Sequence, residues 1–162
     1  MTMPSQGASE SIETPRVLFL CTGNACRSQM AEGWLRHLAG DRVVSLSAGT
    51  DPHGLNPRAV AAMADAGVDI SEQTSDHLDE YLEQPPEVVI AVCSNAADNC
   101  PTLPGSTNVL HWPFPDPAPG GVDLGASEED TRASFHEVRD AIREHIEAWL
   151  ASGALPLKLA CP

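Results

Sequence analysis

Arg16-Val17-Leu18-Phe19-Leu20-Cys21-Thr22-Gly23-Asn24-Ala25-Cys26-Arg27-Ser28 is the stretch whose reading decides the fold of this chain. Val17 to Leu20 form an apolar run that predicts a buried strand, and an amphipathic segment opens near Gln29. A thiol, five residues, an arginine and a serine therefore hang between a strand and a helix N-terminus. Such a loop makes a cradle for a tetrahedral oxyanion, because its backbone N–H groups point inward and the helix dipole adds partial positive charge. The Arg27 guanidinium can grip two oxygens of the anion at once. The same field favours thiolate over thiol, which makes Cys21 a candidate nucleophile. Taken singly, Cys21 reads as a strand-end cysteine and Arg27 as a solvated helix-start residue. Gly23, an Asn24 able to adopt left-handed backbone, the Arg27-Ser28 pair and the flanking elements together favour the cradle. Its anion-binding residues are Thr22, Gly23, Asn24, Ala25, Cys26, Arg27 and Ser28.

Outward from this loop the chain alternates strands with helices. Residues 16–20 predict the first strand and 28–38 a helix with Met30, Trp34, Leu35 and Leu38 on one side. After the break at Gly40-Asp41, residues 42–48 alternate apolar and polar like a second strand. Asn56 and Pro57 start a helix whose apolar side is Val60, Met63 and Ala64, and Gly67 stops it. Ser75 is the expected cap of a short helix through Tyr81-Leu82, ended by Pro85-Pro86. Residues 87–92 read as a third, central parallel strand and 107–110 as a fourth. Residues 113–121, with four prolines and two glycines, form a surface loop. A last helix runs from Ser127 to about Leu150, with Phe135, Val138, Ile142, Ile146 and Trp149 as its core stripe, and Gly153 and Pro156 end it. The pattern predicts an α/β three-layer sandwich around a four-stranded parallel sheet. Active loops of such sheets gather beyond the strand C-terminal ends, which brings Cys21, Cys93 and Asp116 to one edge.

At 162 residues and 17.2 kDa the chain is long enough for one domain with its own core. Residues 15–155 are expected to be the catalytic domain, after a polar lead-in over 1–14 that lacks the marks of a secretory signal. Residues 156–162 are a tail, and Cys161 within it reads as incidental. No apolar run approaches the length of about 20 residues a membrane helix needs. The formal charge of −14 argues against nucleic-acid or anionic-membrane partners. It also repels an anionic substrate, so the local field of the loop and Arg27 must win. Screening over a Debye length of about 8 Å helps. Five cysteines without an export signal suggest thiol chemistry in a reducing, cytoplasmic compartment rather than a disulfide framework. Cys93 and Cys100 lack zinc-finger spacing, and His37, His53, His77, His111, His136 and His145 show no metal pattern. Cys93 at a strand end and Cys100 in the following segment can each be explained as an ordinary buried or surface thiol. With a nucleophile at the same sheet edge, they also suit a thiol relay.

Residues 21–33, CTGNACRSQMAEG, resemble the active-site loop of the low-molecular-weight tyrosine phosphatase superfamily. The resemblance is greatest to its branch of thioredoxin-coupled arsenate reductases. It extends to Ser47-Ala48-Gly49, Thr74-Ser75-Asp76, Cys93, Cys100, and the segment from His111-Trp112-Pro113 to Asp116-Pro117, and so spans roughly 16–150. It implies the same four-stranded parallel fold and a reduction of arsenate to arsenite. In that reading Cys21 attacks arsenic, Asp116 is the general acid, Cys93 and then Cys100 carry the disulfide, and thioredoxin reduces it. Phosphate and sulfate are then substrate analogues, Ser28 hydrogen-bonds the Cys21 sulfur, and Cys26 stays outside the relay. No tightly bound cofactor is implied. In some of the resembled reductases, positions matching Asn24, Glu32, Ser47, Thr74 and Asp76 surround a potassium ion. The alternative within the superfamily is a phosphomonoesterase of the tyrosine phosphatase type using Cys21, Arg27 and Asp116. Against it, the acid loop lacks aromatic residues to sandwich a phosphotyrosine, and weak phosphatase side activity is the expectation. Reduction through a low-molecular-weight thiol such as mycothiol needs only one protein cysteine, and the presence of both Cys93 and Cys100 speaks for a protein disulfide reductant instead. A non-enzymatic anion sensor leaves both unexplained.

Overall fold

A computed structural model describes residues 14–92, 108–115, 117 and 127–153. Four strands, β1 (Arg16–Cys21), β2 (Val44–Gly49), β3 (Val88–Ala91) and β4 (Val109–His111), form a parallel sheet in the order β2-β1-β3-β4. Three helices, α1 (Arg27–Ala39), α2 (Pro57–Asp65) and α3 (Glu128–Ala151), pack on one face. A 3-10 turn, Leu78–Tyr81, lies against the other. The register pairs Cys21 with Gly49 and Leu20 with Ala91, so three strands finish together at one edge.

The two faces follow from the period of the strands. Val17, Phe19 and Cys21 join the large core beneath the helices with Met30, Trp34, Leu35, Phe135, Ile142 and Ile146. Leu18 and Leu20 turn to the smaller cluster with Ala48, Leu78 and Val89. In β2 the residues toward the helices are Ser45 and Ser47, both buried. Their hydroxyls donate to the Glu32 carbonyl (2.8 Å) and to Glu32 Oε1 (2.6 Å), which makes the burial tolerable.

Several local expectations hold and several need correction. Asn56 caps α2 by accepting from the Arg58 N–H, and Ser127 caps α3 by accepting from that of Asp130. Gly67 follows α2 with φ +86°, as its role as a stop requires. Four residues of the α3 stripe are buried and Trp149 is partly so, edge-on to Trp112 at 5.5 Å. The α2 face is carried by Ala59, Ala62 and Met63, with Ala64 exposed, because the helical period places Ala64 beyond the contact with the sheet. The second strand begins at Val44 rather than at 42: a 3-10 turn takes Gly40–Arg42, and Arg42 Nε donates to the Ala39 carbonyl. The short turn after Ser75 is capped by His77, whose Nδ1 accepts from the Asp79 N–H. β4 extends through His111 because its partner in β3, Ala91, is still paired there. Residue 107, where that strand was expected to start, lies outside the described residues, as does Pro156. Among the described residues no helix is long and apolar enough to cross a membrane.

Candidate active site

The Cys21 sulfur sits at the end of β1, 4% exposed, at the floor of the loop it opens. Asn24 N–H donates to it (3.2 Å), and Ser28 Oγ lies 3.0 Å away. Ser28 Oγ accepts from Asn24 Nδ2 (2.9 Å), which leaves its own hydroxyl hydrogen for the sulfur. Ser28 is therefore not the cap of α1. The cap position is Cys26, whose side chain makes no capping bond, and the first turn closes through Met30 N–H to the Cys26 carbonyl.

The shape of the loop follows from where its carbonyls go. Thr22, Gly23 and Ala25 carbonyls accept from the N–H groups of Asp51, His53 and Asn56 at 2.9, 2.9 and 3.1 Å. The Asn24 carbonyl accepts from Gln29 Nε2 and Ser75 Oγ, both at 2.9 Å. No peptide bond among the described residues is cis, so each N–H following these carbonyls points to the opposite side. Four carbonyls drawn outward thus turn the N–H groups of Gly23, Asn24, Ala25 and Cys26 toward the concave side. Asn24 makes this possible with a left-handed backbone at φ +46°, held because its Oδ1 also accepts from the Asp76 N–H at 2.7 Å. A Cβ on Gly23 would come within 2.7 Å of the His53 ring, an exposed side chain that would have to shift to admit it. Arg27, at the start of α1, donates from Nη1 to the Phe114 carbonyl (2.9 Å) and retains further N–H groups for an anion.

Behind Asn24 lies an oxygen-rich group. Thr74 Oγ1 donates to Asp76 Oδ2 (3.0 Å), Ser47 bonds Glu32, and Arg36 forms an ion pair with the other Glu32 oxygen. Burial pushes the Glu32 carboxyl above its usual range, with Asp76 repulsion adding to it; Ser47 and Arg36 oppose the rise. Asn24, Glu32, Ser47, Thr74 and Asp76 are thus brought together around two carboxylates that repel each other. Both Glu32 oxygens are engaged, by Ser47 and Arg36, and the set as a whole offers the hard oxygen donors that a hard cation takes.

Cys93, Cys100 and Asp116 lie outside the described residues, as does Cys161. The segments leading to the first and last of the three catalytic candidates are anchored at the cradle's edge. Val92 N–H donates to the Leu20 carbonyl (2.9 Å), and the Phe114 carbonyl takes the Arg27 bond. Trp112 and Phe114 are both buried, and the His145 ring of α3 packs on them at 4.3 and 5.6 Å.

A cysteine-headed loop with inward amides, strung between β1 and α1 on a four-stranded parallel sheet, defines a class. The chain belongs to the low molecular weight phosphotyrosine protein phosphatase family, whose sequence model matches residues 16–156. Among its relatives, an arsenate reductase of Halalkalibacterium halodurans is 46% identical over 137 residues, 85% of this chain and 96% of that one. An arsenate reductase solved in a phosphate-binding state superposes with TM-score 0.68 at 31% identity, covering 86% of this chain and 98% of the other. A thioredoxin-dependent arsenate reductase of Corynebacterium glutamicum superposes with TM-score 0.61 at 29% identity, covering 91% of this chain and 67% of its own.

Three supporting residues were given no role at the loop by the sequence. Gln29 and Gln73 bond each other (2.8 Å) beneath the loop, and Ser75 spans Gly54 and Asn24. A polar residue at a buried helical position, as Gln29 is within α1, was the available hint.

Proposed function

We propose that this chain reduces arsenate to arsenite in a reducing, cytoplasmic compartment, using Cys21, Cys93 and Cys100 as a relay that thioredoxin regenerates. The observation that carries the reading is the pairing of a sulfur with donors at its base and four amides turned toward the space above it. Relatives named for arsenate reduction, one of them thioredoxin-dependent, support the choice of substrate and reductant.

Arsenate is a tetrahedral isostere of phosphate, and its oxygens suit the amides of Gly23, Asn24, Ala25 and Cys26 together with the Arg27 fork. The Cys21 sulfur attacks arsenic; an S–As bond forms, an As–O bond breaks, and Asp116 protonates the departing oxygen to water. Cys93 thiolate then attacks the Cys21 sulfur. The S–S bond forms, the S–As bond breaks, and its electron pair stays on arsenic, which leaves as arsenite in the trivalent state. Cys100 thiolate attacks Cys93 and expels Cys21 as thiolate, leaving a 93–100 disulfide. Such a transfer needs Cα atoms within about 7 Å. Thioredoxin, with a potential of about −270 mV, suits reduction of a labile disulfide of this kind. Throughout, the Ser28 hydroxyl and Asn24 N–H stabilise negative charge on the Cys21 sulfur whenever it is the leaving group. Asn24, Glu32, Ser47, Thr74 and Asp76 would hold a potassium ion, which would supply positive charge behind the loop.

Steady-state arsenite production with thioredoxin, thioredoxin reductase and NADPH tests the relay. Cys100→Ser is expected to release arsenite once and then stop; sustained turnover by that variant would refute it. The family match itself favours a second reading, a phosphomonoesterase using Cys21, Arg27 and Asp116. Tyr81, the single tyrosine, packs in the smaller core with its hydroxyl pushed up to about 12 by burial, so it offers no wall for a phosphotyrosine ring. High activity on tyrosine phosphate, with none on arsenate, would establish that second reading.

A further inference from the structure

Gln29 is the third residue of α1, fully buried, and its side chain turns back beneath the nucleophile loop. Both hydrogens of Nε2 are used, one on the Asn24 carbonyl and one on the Thr74 carbonyl, each at 2.9 Å. Its Oε1 accepts from Gln73 Nε2 (2.8 Å), which also donates to the Gln29 carbonyl (3.0 Å). Gln73 Oε1 in turn accepts from Arg36 Nη1 at 2.7 Å. Two side-chain amides thus have every donor engaged, and they lock each other against rotation.

What this lock holds is the one non-glycine residue with left-handed backbone among those described. Asn24 keeps φ +46° against an intrinsic cost of about 1–2 kcal/mol. Its N–H, which reaches the Cys21 sulfur, belongs to the Gly23–Asn24 peptide, held by the Gly23 carbonyl on the His53 N–H; its carbonyl belongs to the next peptide, which carries the Ala25 N–H. Rotation of the Asn24–Ala25 peptide would carry the Asn24 carbonyl toward the concave side, where it would face the anion with negative charge. Gln29 opposes that rotation from below, and Ser75 alone would remain to do so without it.

We infer that Gln29 is a positioning residue for the cradle beside Cys21: acting through the Asn24 carbonyl, it keeps the Ala25 N–H of that peptide facing the oxyanion and braces the left-handed Asn24 backbone, whose own N–H meets the Cys21 sulfur. The inference rests on the cradle reading of Cys21, and its partner is the same tetrahedral oxyanion. Gln73 supports it by fixing which way the Gln29 amide faces.

The test uses the full chain and inorganic phosphate as probe. Alkylation of Cys21 by iodoacetamide at neutral pH is followed by peptide mass mapping, with and without phosphate. In Gln29→Met, which keeps the volume and loses the amide, Cys21 alkylation is expected to slow about tenfold and the phosphate concentration that half-protects it to rise about tenfold. Gln73→Leu is expected to show both effects at about two- to threefold, since the Gln29 donors remain but lose their lock. Circular dichroism melting reports the fold in parallel. A folded Gln29→Met with wild-type alkylation and wild-type phosphate protection, whatever its melting temperature, would overturn the inference. If Gln29→Met does not fold, unchanged values of both readouts in Gln73→Leu would overturn it as well. Failure of phosphate to protect Cys21 in the wild type would instead remove the cradle reading itself, so the two failures are told apart.

Discussion

Gly49 offers the sharpest test of how the cradle is held. It ends β2 opposite Cys21, and its N–H donates to the Asp76 carbonyl at 2.9 Å. A Cβ built there would lie 2.4 Å from the Thr22 carbonyl oxygen and 2.8 Å from that of Cys21. Both are backbone atoms of the nucleophile loop, and neither can swing away as a side-chain end would. The contact must open by roughly half an ångström or more to leave the repulsive wall. Gly49 cannot supply that movement, because β1 holds it on one side and the bridge to His77 on the other. The loop must therefore move, and with it the carbonyl whose outward position aims the Gly23 N–H. Gly49→Ala is expected to destabilise the fold by about 1–3 kcal/mol, the usual range for overpacking. A displacement of this size at a reacting group costs up to about 100-fold in rate. Urea denaturation gives the first quantity; single-turnover release of arsenite, or Cys21 alkylation, gives the second. The expected signature is a rate loss larger than the stability loss explains, measured where the variant is fully folded. A folded Gly49→Ala with wild-type rate and wild-type midpoint would refute the claim that this glycine exists to admit the loop.

Two further outcomes follow from titrating groups near the site. Glu32 is raised above its ordinary 4.5 chiefly by burial, so its share of stability is full below 4.5 and is lost as pH rises through the higher folded value. Glu32→Gln should flatten that decline in a melting-temperature profile, and potassium should raise the wild-type melting temperature only above the same window; a potassium effect surviving in Glu32→Gln would contradict the site. His145 is lowered from 6.5 by burial against Trp112 and Phe114, so its share is present above 6.5 and is lost as pH falls toward the lower folded value. His145→Phe should remove that acid-side loss, and an unchanged profile below 6.5 would show that the ring does not titrate against the aromatic pair.

The nucleophile loop was legible because everything that defines it is consecutive in the chain. An apolar run, a thiol, an asparagine tolerant of left-handed backbone and a helix start require no distant partner to be recognised. The failures share the opposite property. Ser75 and His77 are both reasonable caps for the turn at 78–81, and local propensity favours the serine. Its hydroxyl is instead committed to the Asn24 carbonyl, 51 residues away in sequence, and His77 is left to cap. Ser28, already inside α1, spends its hydroxyl on the same local group, accepting from Asn24 and facing the sulfur. Gly49 could be noticed as part of Ser47-Ala48-Gly49, but the need for a missing Cβ appears only once β1 lies beside β2. Ala64 directly follows the buried Met63 and is apolar itself, and only the packed helix shows that its turn of the helix faces solvent.

For a chain with formal charge −14 to hold an anion as proposed, the charges that matter in the cradle must be partial and fixed. Asn24 shows how. Its Nδ2 faces Ser28 and thus the sulfur, while its Oδ1 faces the Asp76 N–H, so the positive end of the amide dipole lies toward the site. The buried carboxyl of Glu32 stands behind that dipole, partly neutralised by Arg36, and not in front of it. Exposed carboxylates such as Asp51 and Asp79 are hydrated and screened within about 8 Å, whereas the inward amides cost no reorganisation when the anion arrives. Net charge then governs encounter with the substrate, and backbone orientation governs its binding. Outward carbonyls are what separate the two, and they are held by the N–H groups of Asp51, His53 and Asn56 and by the side chains of Gln29 and Ser75, so in the proposed function residues behind the loop tune how it meets the anion.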